Sequence, residues 1–258
     1  IPVYRVRDGW NQISKNKAVF IFCSHLLSDH NAIVLFPEGS HNIKRFVRPL
    51  SKGFTRIIEE TVSNYPELNV ELVPVGLNYK SIEDFADSVV LNFGTPLSSK
   101  DYENLHLNTS ILRMKSDVHN GLTKLTTHID AEDYDDILQK LENINVDFLN
   151  PEDVNQCVKS NFKNCKTLPN PPRNFIKSVA KIGLSISLFL PYGIWKLILE
   201  PKVKEPEFKA TFRFALVISL VPIFMLVIAV ILWFNFGASY ALLYLVSVLI
   251  LDLLAVKL

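Results

Sequence analysis

Two short segments of this chain carry groups that could bind an anionic substrate. Arg5 ends the segment IPVYR and offers a planar guanidinium that can bind phosphate through two hydrogen bonds. In the segment FPEGS, Gly39 lets the backbone approach a ligand, and the N–H groups after Glu38 can form an anion-binding nest. Four basic residues follow within fourteen positions of Glu38: Lys44, Arg45, Arg48 and Lys52. The pattern favours recognition of a phosphate group by Arg5, Glu38, Gly39 and Ser40.

Glu38 is unexpected in a phosphate site, because a carboxylate repels an anion. We expect it to pair with Arg5 and to fix the orientation of the guanidinium. His41, directly after the FPEGS segment, is a second possible phosphate contact, although a surface histidine is the default interpretation.

Alternating strands and helices must position these groups, and that alternation predicts an α/β fold with a mixed sheet flanked by helices. A short continuous apolar run indicates a strand buried on both faces at Ala32–Phe36. Ser51–Ser63 has a helical apolar stripe with Ser51 as its expected N-cap. The remaining elements of this region are a strand at Ile1–Val6, an amphipathic helix within 12–30, and strands at Val70–Val75 and Ser88–Phe93.

After about residue 100 the pattern becomes helical. Apolar residues recur at helical spacing from Ile111 to Ile129 and from Tyr134 to Ile144, followed by a Pro-rich linker at Thr167–Arg173. We expect three parts: an α/β core at 1–100, accessory helices and linker at 101–172, and a membrane region at 173–258.

The composition excludes several classes of protein. Lys and Arg number 27 against 26 Asp and Glu, so the basic excess typical of nucleic-acid binding is absent. No cluster of potential ligands has metal-site spacing, and neither a metal nor an organic cofactor is indicated. The three cysteines match no zinc or redox pattern, and we expect free thiols in a reducing compartment.

The last part of the chain predicts a membrane hairpin. Residues 214–234 and 239–256 are each long enough to cross a hydrocarbon core of about 30 Å, with only 235–238 between them. Lys209 and Arg213 precede the hairpin and Lys257 follows it, so both basic ends face one side, which the positive-inside rule places in the cytoplasm. The segment 184–199 is ambiguous because it contains Pro191 and Lys196. A re-entrant or interfacial segment is the preferred interpretation, and a third crossing stays open.

Several short segments, in a fixed order along the chain, resemble those of the glycerol-3-phosphate and lysophosphatidic acid acyltransferases. IPVYR resembles the family's second block, FPEGS its third, and Val73-Pro74-Val75 its fourth. Lys52-Gly53 and Phe93-Gly94-Thr95-Pro96 resemble the segments that follow the third and fourth blocks. The resemblance covers residues 1–97, and the hydrophobic hairpin is similar to the tails of bacterial members. It implies that Arg5, Glu38, Gly39 and Ser40 bind the acceptor phosphate, with possible support from His41, Lys44, Arg45, Lys52 and Pro74.

The family's first block, Asn-His-four residues-Asp, is absent from this chain and would precede Ile1. In the family, that histidine is the general base for the acceptor hydroxyl. His25 and Asp29 have the wrong spacing, whereas His128 and Asp133 have the spacing but lack the Asn. We expect both histidines to be ordinary surface helix residues, so no catalytic residue is assigned and this chain alone should be nearly inactive.

The resemblance implies transfer of a fatty acyl group from acyl-CoA or acyl-carrier protein to glycerol-3-phosphate or its 1-acyl form, lysophosphatidic acid. Such an enzyme of phospholipid synthesis would be a multi-pass protein of a membrane, as in a bacterial inner membrane, with its soluble part in the cytoplasm. Two alternatives stay open: an acyltransferase for another lipid acceptor, and a non-catalytic membrane protein that binds lipid phosphates.

Overall fold

The computed structural model describes residues 14–40, 42–81, 87–130, 132–169 and 175–257. The chain separates into two compact units. The first comprises Ile1–Asn78 with Val89–Thr167, and the second comprises Tyr79–Ser88 with Leu168–Leu258. The expected strand at Ile1–Val6, Arg5 and His41 lie outside the described residues.

The first unit begins with two helices that pack on each other, α1 (Asn16–Ser28) and α2 (Gly53–Asn64). The apolar stripe expected for α2 is found, with Phe54, Ile57 and Ile58 buried. The expected N-cap is wrong: Lys52 occupies the cap position, and its side chain makes no capping hydrogen bond. The stripe is set by local periodicity, whereas the exact start depends on how the preceding loop approaches the helix.

Four short strands follow: β1 (Glu71–Leu72), β2 (Val75–Tyr79), β3 (Val89–Phe93) and β4 (Leu97–Ser98). β1 and β4 are antiparallel, with Glu71 opposite Ser98 and Leu72 opposite Leu97. β2 pairs with β3. The expected single strand at Val70–Val75 is therefore divided, and its two parts belong to different sheets. Pro74 lies at the division, where it cannot donate to a strand ladder because it has no N–H.

The combination of helices and sheet is confirmed, but the single mixed sheet is not found among the described residues, which form two two-stranded sheets. The strand expected at Ala32–Phe36 is also wrong. This segment is extended without strand pairing, and the side chains of Val34 and Phe36 are 82% and 76% exposed. An apolar run forms a strand only if a neighbouring strand accepts its hydrogen bonds, and no described strand does so here.

Three helices complete the first unit: α3 (Leu107–Leu125), α4 (Tyr134–Ile144) and α5 (Pro151–Lys159). α4, α5 and the connection after α3 share a core in which Ile129, Leu141 and Cys157 are fully buried. Ile129 was expected in a helix but lies in the connection after α3. The prediction of three free thiols is wrong, because Cys157 is disulfide-bonded to Cys165 and only the buried Cys23 is free. Sequence spacing could not reveal a pair closed by a local turn.

The second unit is formed mainly by apolar helices. Two of them, α8 (Lys209–Phe236) and α9 (Ala238–Lys257), are long and apolar enough to cross a membrane. Gly237 connects them with a φ of 100°, a conformation that favours glycine. Before them, α6 (Phe175–Ser187) and α7 (Phe189–Gly193) belong to a segment, 175–202, that bends by 95°.

The bent segment packs against the membrane hairpin. Gly183 of α6 fits against Leu251, since a Cβ at this position would lie 3.2 Å from its side chain. The Tyr244 hydroxyl donates to the Ser187 carbonyl at 3.1 Å. Gly183 thus contacts a residue near the end of α9, and Ser187, further along α6, contacts one nearer its beginning. The two helices are therefore antiparallel. After the bend, Phe189 meets the Phe224 ring of α8 edge-on, with the centroids 5.6 Å apart.

Candidate functional site

The FPEGS segment forms a tight turn at 36–40. The Gly39 N–H donates to the Phe36 carbonyl at 3.3 Å, and Gly39 has a φ of +76°. A Cβ at Gly39 would meet no atom within 4 Å, so glycine is required for the backbone conformation and not for space. The Pro37 carbonyl accepts the Ser51 N–H at 2.7 Å, which fixes the turn next to the start of α2.

Arg48 holds the polar groups of this turn. Its Nε donates to Glu38 Oε2 at 2.9 Å, its Nη1 donates to Ser40 Oγ at 2.7 Å, and its Nη2 donates to the Ser40 carbonyl. The Arg48 and Glu38 side chains are only 20% and 31% exposed, so water screens this pair less than a fully exposed one. A guanidinium has five N–H donors, and these three bonds leave two for a ligand.

Arg48 is the residue of this site that the sequence interpretation did not select. We expected Glu38 to pair with Arg5, which lies outside the described residues, whereas Glu38 pairs with Arg48. The available signal was the basic run after FPEGS, but four cations of that run were equivalent in sequence. Only the folded structure shows that Arg48 is the cation of this run that contacts the turn.

The position of Arg48 is fixed by the connection between α3 and α4. The Val47 N–H donates to His128 Nδ1 at 3.0 Å, and the Ile129 N–H donates to the Arg45 carbonyl at 2.8 Å. The Arg45 N–H in turn donates to the Tyr134 hydroxyl at 2.8 Å. The segment that carries the guanidinium is thus held by helices far away in sequence.

The other cations of the run contact different parts of the first unit. The Lys44 ammonium lies 4.8 Å from the centre of the Tyr134 ring, and the Arg45 guanidinium lies 3.9 Å from that of Phe148. Lys52 is exposed at the N-cap of α2. The structure therefore brings Glu38, Gly39 and Ser40 together with Arg48, while the Lys44 and Arg45 side chains lie over aromatic rings.

Pro74 shapes the backbone between the two sheets. Its carbonyl accepts the Gly94 N–H at 2.9 Å, and its ring packs against Gly121 of α3, where a Cβ would lie 2.9 Å from Pro74 Cγ. Pro74, in the segment that resembles the family's fourth block, therefore acts as a packing residue. None of them joins Pro74 to the turn at 36–40.

His128 is a structural residue and not a surface helix residue, which corrects the expectation for it. It follows the end of α3, and its Nδ1 accepts a hydrogen bond, so the ring proton of the neutral form is on Nε2. Burial lowers the pKa of His128; Asp130 opposes the shift and His119 adds to it. Asp130 lies 3.8 Å from Nε2, whereas Asp133 occupies the N-cap of α4. His25 conforms to the expectation, being exposed on α1 with its Nδ1 2.7 Å from the Tyr65 hydroxyl.

In the turn at 36–40, Gly39 is half-buried and Ser40 is exposed. In the described part of the first unit, a cavity of about 520 Å³ lies elsewhere, between β3, the end of α3 and the start of α5. Among the described residues, no group of three His, Cys, Asp or Glu side chains could hold a metal ion. A ligand at the turn would be held by Arg48 and by backbone N–H groups.

Comparison with known proteins gives two relatives, both named as acyltransferases. The chain is 39% identical to an uncharacterized acyltransferase of Schizosaccharomyces pombe over 66 residues, 26% of this chain and 10% of that protein. It is 27% identical to glycerol-3-phosphate O-acyltransferase 1 of Saccharomyces cerevisiae over 118 residues, 43% of this chain and 15% of that protein. No protein-family profile and no solved structure matches the chain.

The chain is therefore similar to acyltransferases, and its apolar helices associate it with a membrane. The matched regions span 15% or less of the relatives' own lengths. Both relatives are yeast proteins, so they lend no support to a bacterial source or to a bacterial inner membrane.

Proposed function

We propose that this chain contributes the acceptor-phosphate site and the membrane region of an O-acyltransferase of phospholipid synthesis. The donor would be acyl-CoA or acyl-carrier protein, and the acceptor glycerol-3-phosphate or lysophosphatidic acid. The observation that carries the proposal is the FPEGS turn, in which Arg48 holds Glu38 and Ser40 and keeps donors available. The similarity to two acyltransferases and the apolar helices α8 and α9 support the same function.

In this proposal the acceptor phosphate binds the free N–H donors of Arg48 and the backbone around Gly39 and Ser40, together with Arg5. The Glu38 carboxylate fixes the orientation of the Arg48 guanidinium. Its negative charge weakens the binding of the phosphate, so that the product can dissociate. The acceptor hydroxyl loses its proton to a base, its oxygen attacks the thioester carbonyl carbon, and the carbon–sulfur bond breaks to release the thiol. General-base catalysis contributes about 10²–10⁴-fold, and no residue of this chain is assigned to it.

We further propose that 1–100 is the acyltransferase core, 101–172 an accessory helical region and 173–258 the membrane region. The soluble part would face the cytoplasm, because Lys209, Arg213 and Lys257 lie at the same end of the membrane hairpin. In this proposal the acceptor site faces the side where acyl-CoA is available.

The test is an acyl-transfer assay of the protein expressed from its full gene, in membranes, with glycerol-3-phosphate and lysophosphatidic acid as acceptors. Glu38→Gln and Ser40→Ala should raise the acceptor KM about tenfold, because the orienting hydrogen bonds to Arg48 become weaker. The matched control is Glu60→Gln, since Glu60 is a carboxylate on α2 whose partner is the neighbouring Asn64. An unchanged acceptor KM in both site variants would contradict the proposed roles.

Two outcomes would point to the alternatives. Turnover of an acceptor without a phosphate that survives Arg5→Ala would identify an acyltransferase for another lipid. Binding of lysophosphatidic acid with no transfer in the full protein would identify a non-catalytic lipid-phosphate-binding protein.

A further inference from the structure

The first turns of α8 have the length and composition of a helix end at the level of the lipid headgroups. The helical stretch suited to span a membrane is Pro206–Phe236, 31 residues, whereas about 20 residues suffice to cross the hydrocarbon core. Its first turns contain Lys209 and Arg213, and a long stretch without charged residues begins at Phe214. Basic residues at the end of a membrane helix settle among the headgroups, so the chain just before α8 is at the membrane surface.

A cavity of about 380 Å³ opens at this level in the second unit. Its wall is apolar and is formed by Leu199, Val203, Phe208 and Phe212. Its polar lining is provided by Lys202, Lys204 and Glu205. The cavity thus combines a surface for hydrocarbon with a pair of cations, and the two lysines outnumber the one carboxylate.

The neighbouring charges show that these two lysines are not used for internal ion pairs. Lys196 binds Glu200 at 2.9 Å, and Glu200 is also within electrostatic reach of Lys209 and Arg213. Lys202 and Lys204 are exposed, and neither has an ion-pair partner in the part of the chain that the structure describes. Glu205 offsets one positive charge, which leaves a net positive cavity.

We propose that this cavity binds an anionic phospholipid of the adjacent leaflet. The lipid phosphate would lie between the Lys202 and Lys204 ammonium groups, and the upper part of an acyl chain would pack on Phe208 and Phe212. A water-soluble phosphate would not contact the apolar wall of this cavity. A phospholipid has both a phosphate for the lysines and an acyl chain for the apolar wall at this depth. The site lies in the membrane unit and does not depend on the acyltransferase proposal or on the turn at 36–40.

The position of the cavity follows from the bend in the segment 175–202. If α6 and the following helix turns enter and leave the membrane on one side, Leu199 returns to the surface where α8 begins. The Lys196–Glu200 pair next to Lys209 and Arg213 is consistent with that return. The cavity is thus enclosed by the returning chain and the first turns of α8.

The test uses the full protein in phosphatidylcholine vesicles that contain a photoactivatable phosphatidic acid, with the reactive group near the headgroup end of an acyl chain. Matched vesicles contain a photoactivatable phosphatidylcholine, and mass spectrometry locates the labelled peptide. Phosphatidic acid should label the peptide that covers 199–212 several-fold more than phosphatidylcholine does. Lys202→Gln with Lys204→Gln should reduce this labelling about tenfold, since each lysine near the surface contributes to anionic-lipid binding.

Two further variants make the result specific. Lys202→Arg with Lys204→Arg should keep the labelling, because the charge is kept and any general damage from two substitutions is controlled. Lys177→Gln with Lys181→Gln removes the same charge from α6 and should leave the labelling unchanged.

Three outcomes would overturn the proposal. Equal labelling by the two lipids would show an apolar groove without headgroup selection. An equal loss in the Lys177/Lys181 variant would show general attraction to surface charge. Competition by millimolar glycerol phosphate would show a site for a soluble phosphate.

Discussion

The Nε of Arg48 donates to the Glu38 carboxylate at 2.9 Å, and the same guanidinium holds both oxygens of Ser40. One side chain therefore fixes both polar residues on either side of Gly39. Lysine has the same charge but no planar set of donors, so it cannot hold the three acceptors together.

Arg48→Lys is expected to weaken acceptor binding with little effect on the stability of the first unit. A partly exposed ion pair contributes about 1 kcal/mol or less, so unfolding of the first unit should change little. The acceptor KM of the full protein should rise about tenfold with a smaller change in kcat, because the turn loses its geometry. Arg56→Lys, an exposed arginine on α2, is the control. Equal acceptor KM values for the two variants would show that Arg48 does not contribute to acceptor binding.

Gly76 is required by space, and its replacement should destabilise the first unit. A Cβ at this position would meet the carbonyl of Leu125, with its carbon atom 2.7 Å away. Because that contact is to backbone, it cannot be relieved by a rotamer change, and Gly76→Ala should cost about 2 kcal/mol or more. At Gly53, at the start of α2, the nearest atom to a Cβ is Ser51 Oγ at 3.8 Å, and Ala there should be neutral or stabilising. Protection from proteolysis in urea measures both.

His128 should make the first unit less stable at acid pH. Burial lowers the pKa of His128 from its usual value of 6.5, so between the two pKa values the unfolded chain binds more protons than the folded one. The contribution to stability is fully present above pH 6.5 and is lost as the pH falls through the folded-state pKa. His128→Gln can still accept from Val47 N–H without titrating, and should flatten the dependence on pH between 5 and 7. His106→Gln, at an exposed position, is the matched control for the substitution itself.

The Cys157–Cys165 disulfide should be detectable by counting thiols. If the protein is denatured with an alkylating agent but no reductant, Cys23 should be the one residue of the three cysteines at 1–258 that reacts. After reduction, three should react. The bond closes a short loop, and its removal should destabilise the first unit by about 2–3 kcal/mol on the chain-entropy estimate. Three reactive thiols before reduction would show that the disulfide is absent and that all three cysteines are free, as the sequence predicted.

The bent segment 175–202 is predicted to enter and leave the membrane on one side. Single cysteines replacing Phe175, Pro201 and Ser239 test this with an impermeant maleimide on sealed vesicles, and native Cys23 is buried. Phe175→Cys and Pro201→Cys should react from the same side, and Ser239→Cys, next to the Gly237 turn, from the other. Reaction at positions 175 and 201 from opposite sides would establish a third crossing.

The sequence determined the features that depend on local periodicity and length. The buried face of α2 and the two long apolar helices follow from side chains a few residues apart, and the FPEGS turn follows from a glycine that reaches positive φ. The acyltransferase resemblance also came from short local segments, and two acyltransferase relatives support it.

Only the tertiary structure decided the pairings between distant residues. Arg48 is the partner of Glu38 in the described residues, because Val47 beside it is held by His128 across 81 positions of sequence. The strand expected at Ala32–Phe36 failed for the same reason, since strand pairing requires a partner that no local pattern specifies. Hydrogen bonds and ion pairs between remote segments depend on how the chain folds, and that is why composition and spacing could not assign them.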